Sequence, residues 1–262
     1  MIYYTRTCKV TGLEQFIAAL ATFASSHRLG ALPRGQLYER VRRGLHNFFG
    51  LSEITVPKHA ISMDQLYTIY FSLDFSVFAD ARDWCAYVFA FFGLLRLREY
   101  TDGRLHFQHV SRHSWGIQLT IPFSKTSLQP AHVKLAARAD RFCPVKAYDS
   151  YVLHIHTRLR LPSTAFFRDA AATTAALSSK SYIQGFRTRV AAVLHIDATP
   201  FAGHSFRRGG TTALFLAGVP ETVIASHGRW KSDTYRRYFE WTSTQQLLPT
   251  RTLYTHTRHK YA

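Results

Sequence analysis

The sequence predicts a mainly α-helical protein carrying one small antiparallel β-sheet. Three observations lead there. Apolar residues recur at helical spacing through most of the chain. One stretch only, between Arg104 and Ala137, alternates apolar and polar residues in the manner of strands. The densest apolar run, Trp84 to Leu95, is 12 residues long, well short of the ~18 that a membrane span needs, so it reads as a buried central helix.

Taken in order, Leu13, Phe16, Ile17, Leu20 and Phe23 mark a first helix that Thr11 can cap and that Gly30 and Pro33 stop. RGQLYERVRRGLHNFFG predicts a second, with Leu37, Val41, Leu45 and Phe48 on one stripe and Arg40, Arg42, Arg43 and His46 on the other faces. Those three arginines suit either a solvated face or a DNA backbone. The irregular LSEITVPKHA suggests a boundary, with a helical region over 1–55 and a larger domain over 56–262. Helices are expected from Ser62 to about Ser72 and from Val77 to about Leu97. RLHFQHV, SWGIQLTIPF and AHVKLAA then predict three strands, the last two joined by the polar turn SKTSLQP. Beyond Pro144 helices resume over 145–159, 181–195, 204–217, 220–225 and 232–239, with 173–179 as a loop or helix start.

Composition narrows the partners. At 262 residues the chain can bury a core without disulfides or metals, and Cys8, Cys85 and Cys143 form no CxxC pair, which fits a reducing compartment. Lys and Arg number 33 against 16 Asp and Glu, a formal charge of +17 that attracts a polyanion. The charges are interleaved with apolar residues, as on the basic face of a folded body. The N-terminal MIYYTRTCKVTG has no apolar stretch of the signal-peptide kind, so neither secretion nor a membrane partner is expected.

Motifs for nucleotide phosphates, dinucleotides, zinc proteases and serine hydrolases are missing from the sequence. His106, His109 and His113 in HFQHVSRH fall on a strand and turn, where surface histidines are the simpler reading and no metal site is expected. Cations dominate what remains. His204 and Arg207 stand i, i+3 at a helix start, a spacing that puts both on one face beside the positive helix end. Arg96 and Glu99 have the same spacing where the apolar helix ends, either a structural ion pair or part of a site. Lys125 lies in the turn between strands, where a mobile ammonium is either solvated or able to reach a neighbouring cleft.

Together, Arg96 in GLLRLRE, Lys125 in SKTS, His204 and Arg207 in GHSFRRG, Trp230 in GRW and Tyr238 in YRRYF resemble, in order, the tyrosine recombinases, the phage-integrase-type family. The likeness runs over roughly 35–245, and GLLRLREY, SKT and GRWKSDTYRRY are most similar to recombinases of eukaryotic DIRS-type retrotransposons. The resemblance implies the catalytic-domain fold of DNA breaking and rejoining enzymes behind a partial core-binding region. It implies site-specific recombination of double-stranded DNA through a 3′-phosphotyrosine intermediate, without metal, ATP, other cofactor or small-molecule substrate. A homotetramer on paired sites is expected, in the nucleus of a eukaryotic host or otherwise the cytoplasm. Tyr238 would be the nucleophile, Arg96 and Arg207 the phosphate clamps, Lys125 the acid for the leaving 5′ oxygen, His204 a proton-transfer or phosphate partner and Trp230 an indole donor. Glu99 would support Arg96.

Two features depart from the family pattern. Trp230 precedes Tyr238 by eight residues, one fewer than usual, with His227 a rival for its place and Tyr235 an alternative nucleophile. The N-terminal region is short. A catalytically inactive DNA-binding remnant and a type IB topoisomerase-like enzyme are the other readings.

Overall fold

The computed structural model describes residues 58–122 and 129–239, with Ala19, Thr22, Phe23, Ser26 and His27. The chain divides into two compact units, Met1–Pro57 and Lys58–Ala262. Of the first unit, Ala19, Thr22, Phe23 and Ser26 are helical; Arg40, Arg42 and Arg43 lie outside the described residues.

The second unit is mainly helical with one small antiparallel sheet, as its sequence predicts. Helix α1, Met63–Tyr70, starts at a capping box: Ser62 Oγ accepts from the Gln65 amide at 3.1 Å and Gln65 Oε1 from the Ser62 amide at 2.9 Å. Helix α2, Phe78–Phe92, is apolar on all sides from Trp84 onward and buries ten of its 15 residues, so it forms the centre of the core. Around it pack α4, Pro144–Leu153, α5, Ser179–Leu194, and α6, Ser205–Leu216. Strands β1, Val110–His113, β2, Gly116–Ile121, and β3, Ala131–Ala136, pair in that order. Gly116 lies opposite Ala136 and Ile121 opposite Ala131, leaving Ile117, Leu119 and Ile121 on the buried face.

Several elements differ from expectation for identifiable reasons. The long helix does not reach Leu97: it stops at Gly93, Leu94 turns left-handed (φ 46°), and Arg96 instead precedes a separate short helix, α3, Leu97–Tyr100. The first strand loses its beginning because the Phe107 and Gln108 amides donate to the carbonyls of Thr164 and Pro162, making Phe107–His109 a 3₁₀ turn. Helix α4 ends six residues early, where the Arg160 guanidinium takes the Val152 and Ile155 carbonyls at 2.9 and 2.7 Å. Helix α7, Glu221–His227, is followed by a 3₁₀ segment, Asp233–Tyr238, in place of the expected α-helix.

The placement of α6 depends on two glycines. A Cβ on Gly209 would run into the Ile61 carbonyl, and one on Gly210 into the Phe91 carbonyl. The backbone of α6 therefore lies directly against the end of α2. Phe206 anchors it from the other side, stacking on Tyr87 with ring centroids 5.0 Å apart and packing on Phe186 at 4.5 Å; its full burial contributes roughly 2 kcal/mol. With Phe206 held inward, Arg207 is forced beside the turn that ends α2.

Candidate active site

Cationic side chains from three segments converge around the turn at Leu94. Arg207 is buried (1 % exposed), and its Nη1 donates to the Leu94 carbonyl while Nη2 donates to the Gly228 carbonyl at 2.6 Å. The Trp230 ring covers it, 3.9 Å from the guanidinium carbon. Arg229 reaches the same turn: Nη1 donates to Gly93 and Nη2 to Leu94, each at 3.2 Å. Leu94 (φ 46°) and Arg229 (φ 60°) are both left-handed, a conformation that costs about 1 kcal/mol or more in a residue with a side chain.

One carboxylate serves this cluster. Glu99 Oε1 accepts from Arg96 Nη1 at 2.8 Å, and Oε2 accepts from the Arg96 amide at 2.8 Å and from Arg229 Nη2 at 2.7 Å. Arg96 Nε and Nη2 have no partner among the described residues, and the side chain keeps 25 % of its surface exposed. His204 stands just before α6 and retains a solvent-facing surface. The protein mass around its ring, and then the charges of Arg207, Arg96 and Arg208, hold its pKa below the usual histidine value. Burial, followed by Arg96 and Arg229, pushes Arg207 down to about 9. Arg229 is lowered by burial and by Arg96, with Glu99 opposing. These cations repel one another in a poorly solvated place, and an arriving anion would relieve that repulsion.

The tyrosines separate clearly. Tyr235 is 6 % exposed and donates its hydroxyl to Glu221 Oε2 at 3.2 Å, a carboxylate it shares with Arg236. Tyr238 is half-buried, its ring 5.7 Å from Trp230, 6.5 Å from and nearly parallel to His204, and 5.7 Å from the Arg208 guanidinium carbon. Its hydroxyl bonds to nothing among the described residues. Its backbone is fixed instead, the carbonyl accepting from Thr212 Oγ1 of α6 at 2.6 Å. His227 Nε2 donates to the Phe92 carbonyl at 2.7 Å, which engages the ring with the end of α2.

Arg96, Glu99, His204, Arg207, Trp230 and Tyr238 are thus brought together, while Tyr235, whose ring also meets Trp230 at 5.9 Å, turns its hydroxyl to Glu221. Lys125 lies outside the described residues. Arg207 differs from the sequence expectation in one respect: both Nη atoms are engaged by main-chain carbonyls, so in this conformation it supplies charge and Arg96 supplies the unengaged donors. Arg229 was not anticipated, although GRW placed it beside Trp230. Among the described residues no three His, Cys, Asp or Glu side chains are grouped to hold a metal; His106 and His109 stack on each other, and His113 on Trp115.

No protein-family model matches the chain, and no curated protein sequence does. Solved structures do share its fold. The XerH site-specific recombinase bound to palindromic difH substrate, a post-cleavage complex, superposes with a TM-score of 0.58 at 13 % identity over 76 % of this chain and 53 % of that one. The Tn1549 transposon integrase in complex with a circular intermediate DNA gives 0.56 at 12 % identity over 95 % and 81 % of the two chains. The same integrase with transposon right end DNA gives 0.56 at 11 %, over 96 % and 80 %. The chain spans about half the length of the XerH chains it resembles. Its fold is that of the tyrosine recombinase catalytic domain.

Proposed function

We propose that the protein is a site-specific DNA recombinase or integrase that cleaves and rejoins strands through Tyr238. One observation carries this reading: the phenol of Tyr238 has no hydrogen-bond partner among the described residues and its ring stands beside His204, Trp230 and Arg208, whereas the Tyr235 phenol, though its ring also meets Trp230, is held by Glu221. A phenol is a weak nucleophile at neutrality, so its attack needs a base to take the proton, and that role falls to His204, whose ring lies nearly parallel to that of Tyr238. Tyr238 Oη forms a bond to phosphorus as the bond to the 5′ oxygen breaks. Lys125 gives that oxygen its proton. Arg96 neutralises the phosphoryl oxygens through Nε and Nη2, and Arg207 adds charge, exchanging the Gly228 carbonyl for phosphate when it donates directly. Attack by a 5′ hydroxyl on the phosphotyrosine then releases Tyr238 and reseals DNA with no net change in bond type, so ATP is not required.

The short spacing from Trp230 is compatible with this role. A 3₁₀ segment rises ~2.0 Å per residue against ~1.5 Å in an α-helix. Across the six residues Asp233–Tyr238 it therefore reaches about as far as eight α-helical residues, more than the one residue by which the spacing is short. By the same reading the enzyme belongs to a mobile element of the DIRS type, assembles as a tetramer on paired sites and works in the nucleus of a eukaryotic host; Arg40, Arg42 and Arg43 add DNA backbone contacts.

The test is covalent capture. A pool of nicked suicide duplexes with a randomised target segment should yield a complex resistant to SDS with the wild type and with Tyr235→Phe, and none with Tyr238→Phe. DNA binding without any adduct would favour the inactive remnant; relaxation of supercoiled plasmid by a monomer would favour the topoisomerase reading. An adduct lost only in Tyr235→Phe would overturn the nucleophile.

A further inference from the structure

Arg229 stands where the nucleophile-bearing segment meets the Arg96 helix. It ties together three pieces of chain: the turn after α2 through Gly93 and Leu94, its own turn through the His227 carbonyl at 3.2 Å, and Glu99 through Oε2. Its side chain is only 12 % exposed, its Nε is buried without a partner among the described residues, and its backbone is left-handed. A buried arginine held in a costly conformation, with an unsatisfied donor, is not explained by packing alone.

Glu99 shows what the contact does. A carboxylate beside an arginine favours a two-point pair that engages two guanidinium nitrogens. Here Glu99 makes only one side-chain contact with Arg96, through Oε1, because Oε2 is held by Arg229 and by the Arg96 amide.

We propose that Arg229 is a positioning residue, which holds one oxygen of Glu99 so that Arg96 keeps Nε and Nη2 for an anion in the site. This rests on the reading of the cluster as a phosphate site. Removing Arg229 lets Glu99 turn both oxygens onto Arg96, which closes the guanidinium against the ligand. A residue that acts through Glu99 must lose its effect when Glu99 can no longer form an ion pair, which makes a double-mutant cycle decisive.

The probe is inorganic phosphate, titrated into the full-length protein at constant ionic strength and followed at the His204 ring resonances by NMR. The wild type should bind and shift those resonances. Arg229→Met should weaken phosphate about tenfold, and Arg229→Lys, which keeps the charge and a donor, should restore most of that loss. In a Glu99→Gln background the Met substitution should change affinity less than about twofold. A thermal midpoint for each variant monitors folding; if Arg229→Met does not fold, the same cycle is read with Arg229→Gln, which keeps a donor but not the charge. Equal losses in both backgrounds, or unchanged affinity in Arg229→Met, overturn the inference while leaving the phosphate site intact. A wild type whose His204 resonances ignore phosphate overturns the site itself.

Discussion

Arg168 and Arg207 are both buried arginines with no carboxylate of their own, yet their surroundings differ in kind. Arg168 is fully buried, and its guanidinium reaches Ala165 O at 3.3 Å, Thr173 O at 3.2 Å, Leu159 O, and Thr164 Oγ1 at 3.2 Å. All three nitrogens have acceptors, the Phe107 ring lies 5.2 Å from its guanidinium carbon, and Arg82 donates to its carbonyl. Such an arginine closes a loop. Burial lowers the pKa of both, but Arg168 has Arg160 as its cationic neighbour with Tyr151 opposing, whereas Arg207, which also donates to carbonyls, is crowded by Arg96 and Arg229 beside His204 and is pushed down to about 9. The first cation is satisfied by the fold; the second is left wanting an anion. Burial alone therefore says nothing about function, whereas the sign of the surrounding charge does.

Substitution should separate them most sharply. Arg168→Met strands several buried acceptors and should cost about 3 kcal/mol or more of stability, read as a denaturation midpoint, without altering phosphate affinity. Arg207→Met loses two hydrogen bonds but also removes a charge that burial and its neighbours disfavour, so its stability loss should be about 1 kcal/mol. Its anion affinity should fall at least about tenfold. Equal midpoints for the two variants would erase the distinction. A finer measure is salt dependence: the slope of log affinity for duplex DNA against log salt should fall by about one for Arg207→Met and stay unchanged for Arg168→Met.

The sequence made only one of these two arginines visible. HSFRRGG announced Arg207 through its spacing from His204, and Arg96, Trp230 and Tyr238 were legible for the same reason: they sit in compact motifs. Arg168 sits in FFRDA, which carries no motif, and its role depends on carbonyls five to nine residues away in loops. The central helix was legible because the run from Trp84 to Phe92 is apolar on all faces, but its end was not. A left-handed leucine has no signature, so the break at Leu94 that creates the cationic turn was invisible. Arg229 escaped for a related reason: its partners Gly93, Leu94 and Glu99 are more than a hundred residues away. The difference between the Tyr235 and Tyr238 hydroxyls needed Glu221, which engages the first.

Protonation gives the smallest effect and tests the electrostatic half of the contrast. His204 and His227 are held below the usual histidine value, as is His109, with burial the first cause in each case. Their unfolded counterparts titrate near ~6.5. As pH falls through that value the unfolded chain takes up protons that the folded chain resists, so stability is full above about 6.5 and declines toward the depressed folded values. Asp83 is raised by burial and acts in the opposite sense above its unfolded value, so the comparison is confined to the window just below pH ~6.5. Within it the thermal midpoint of the free protein should fall with falling pH. Saturating phosphate should flatten the decline, because an anion beside His204 stabilises the imidazolium. In His204→Gln the phosphate-dependent part should vanish while the slope from His109 and His227 remains. A decline that phosphate leaves equally steep in the wild type would mean that His204 does not face the anion, and the cluster around Arg207 would then be no different in kind from the sealed pocket of Arg168.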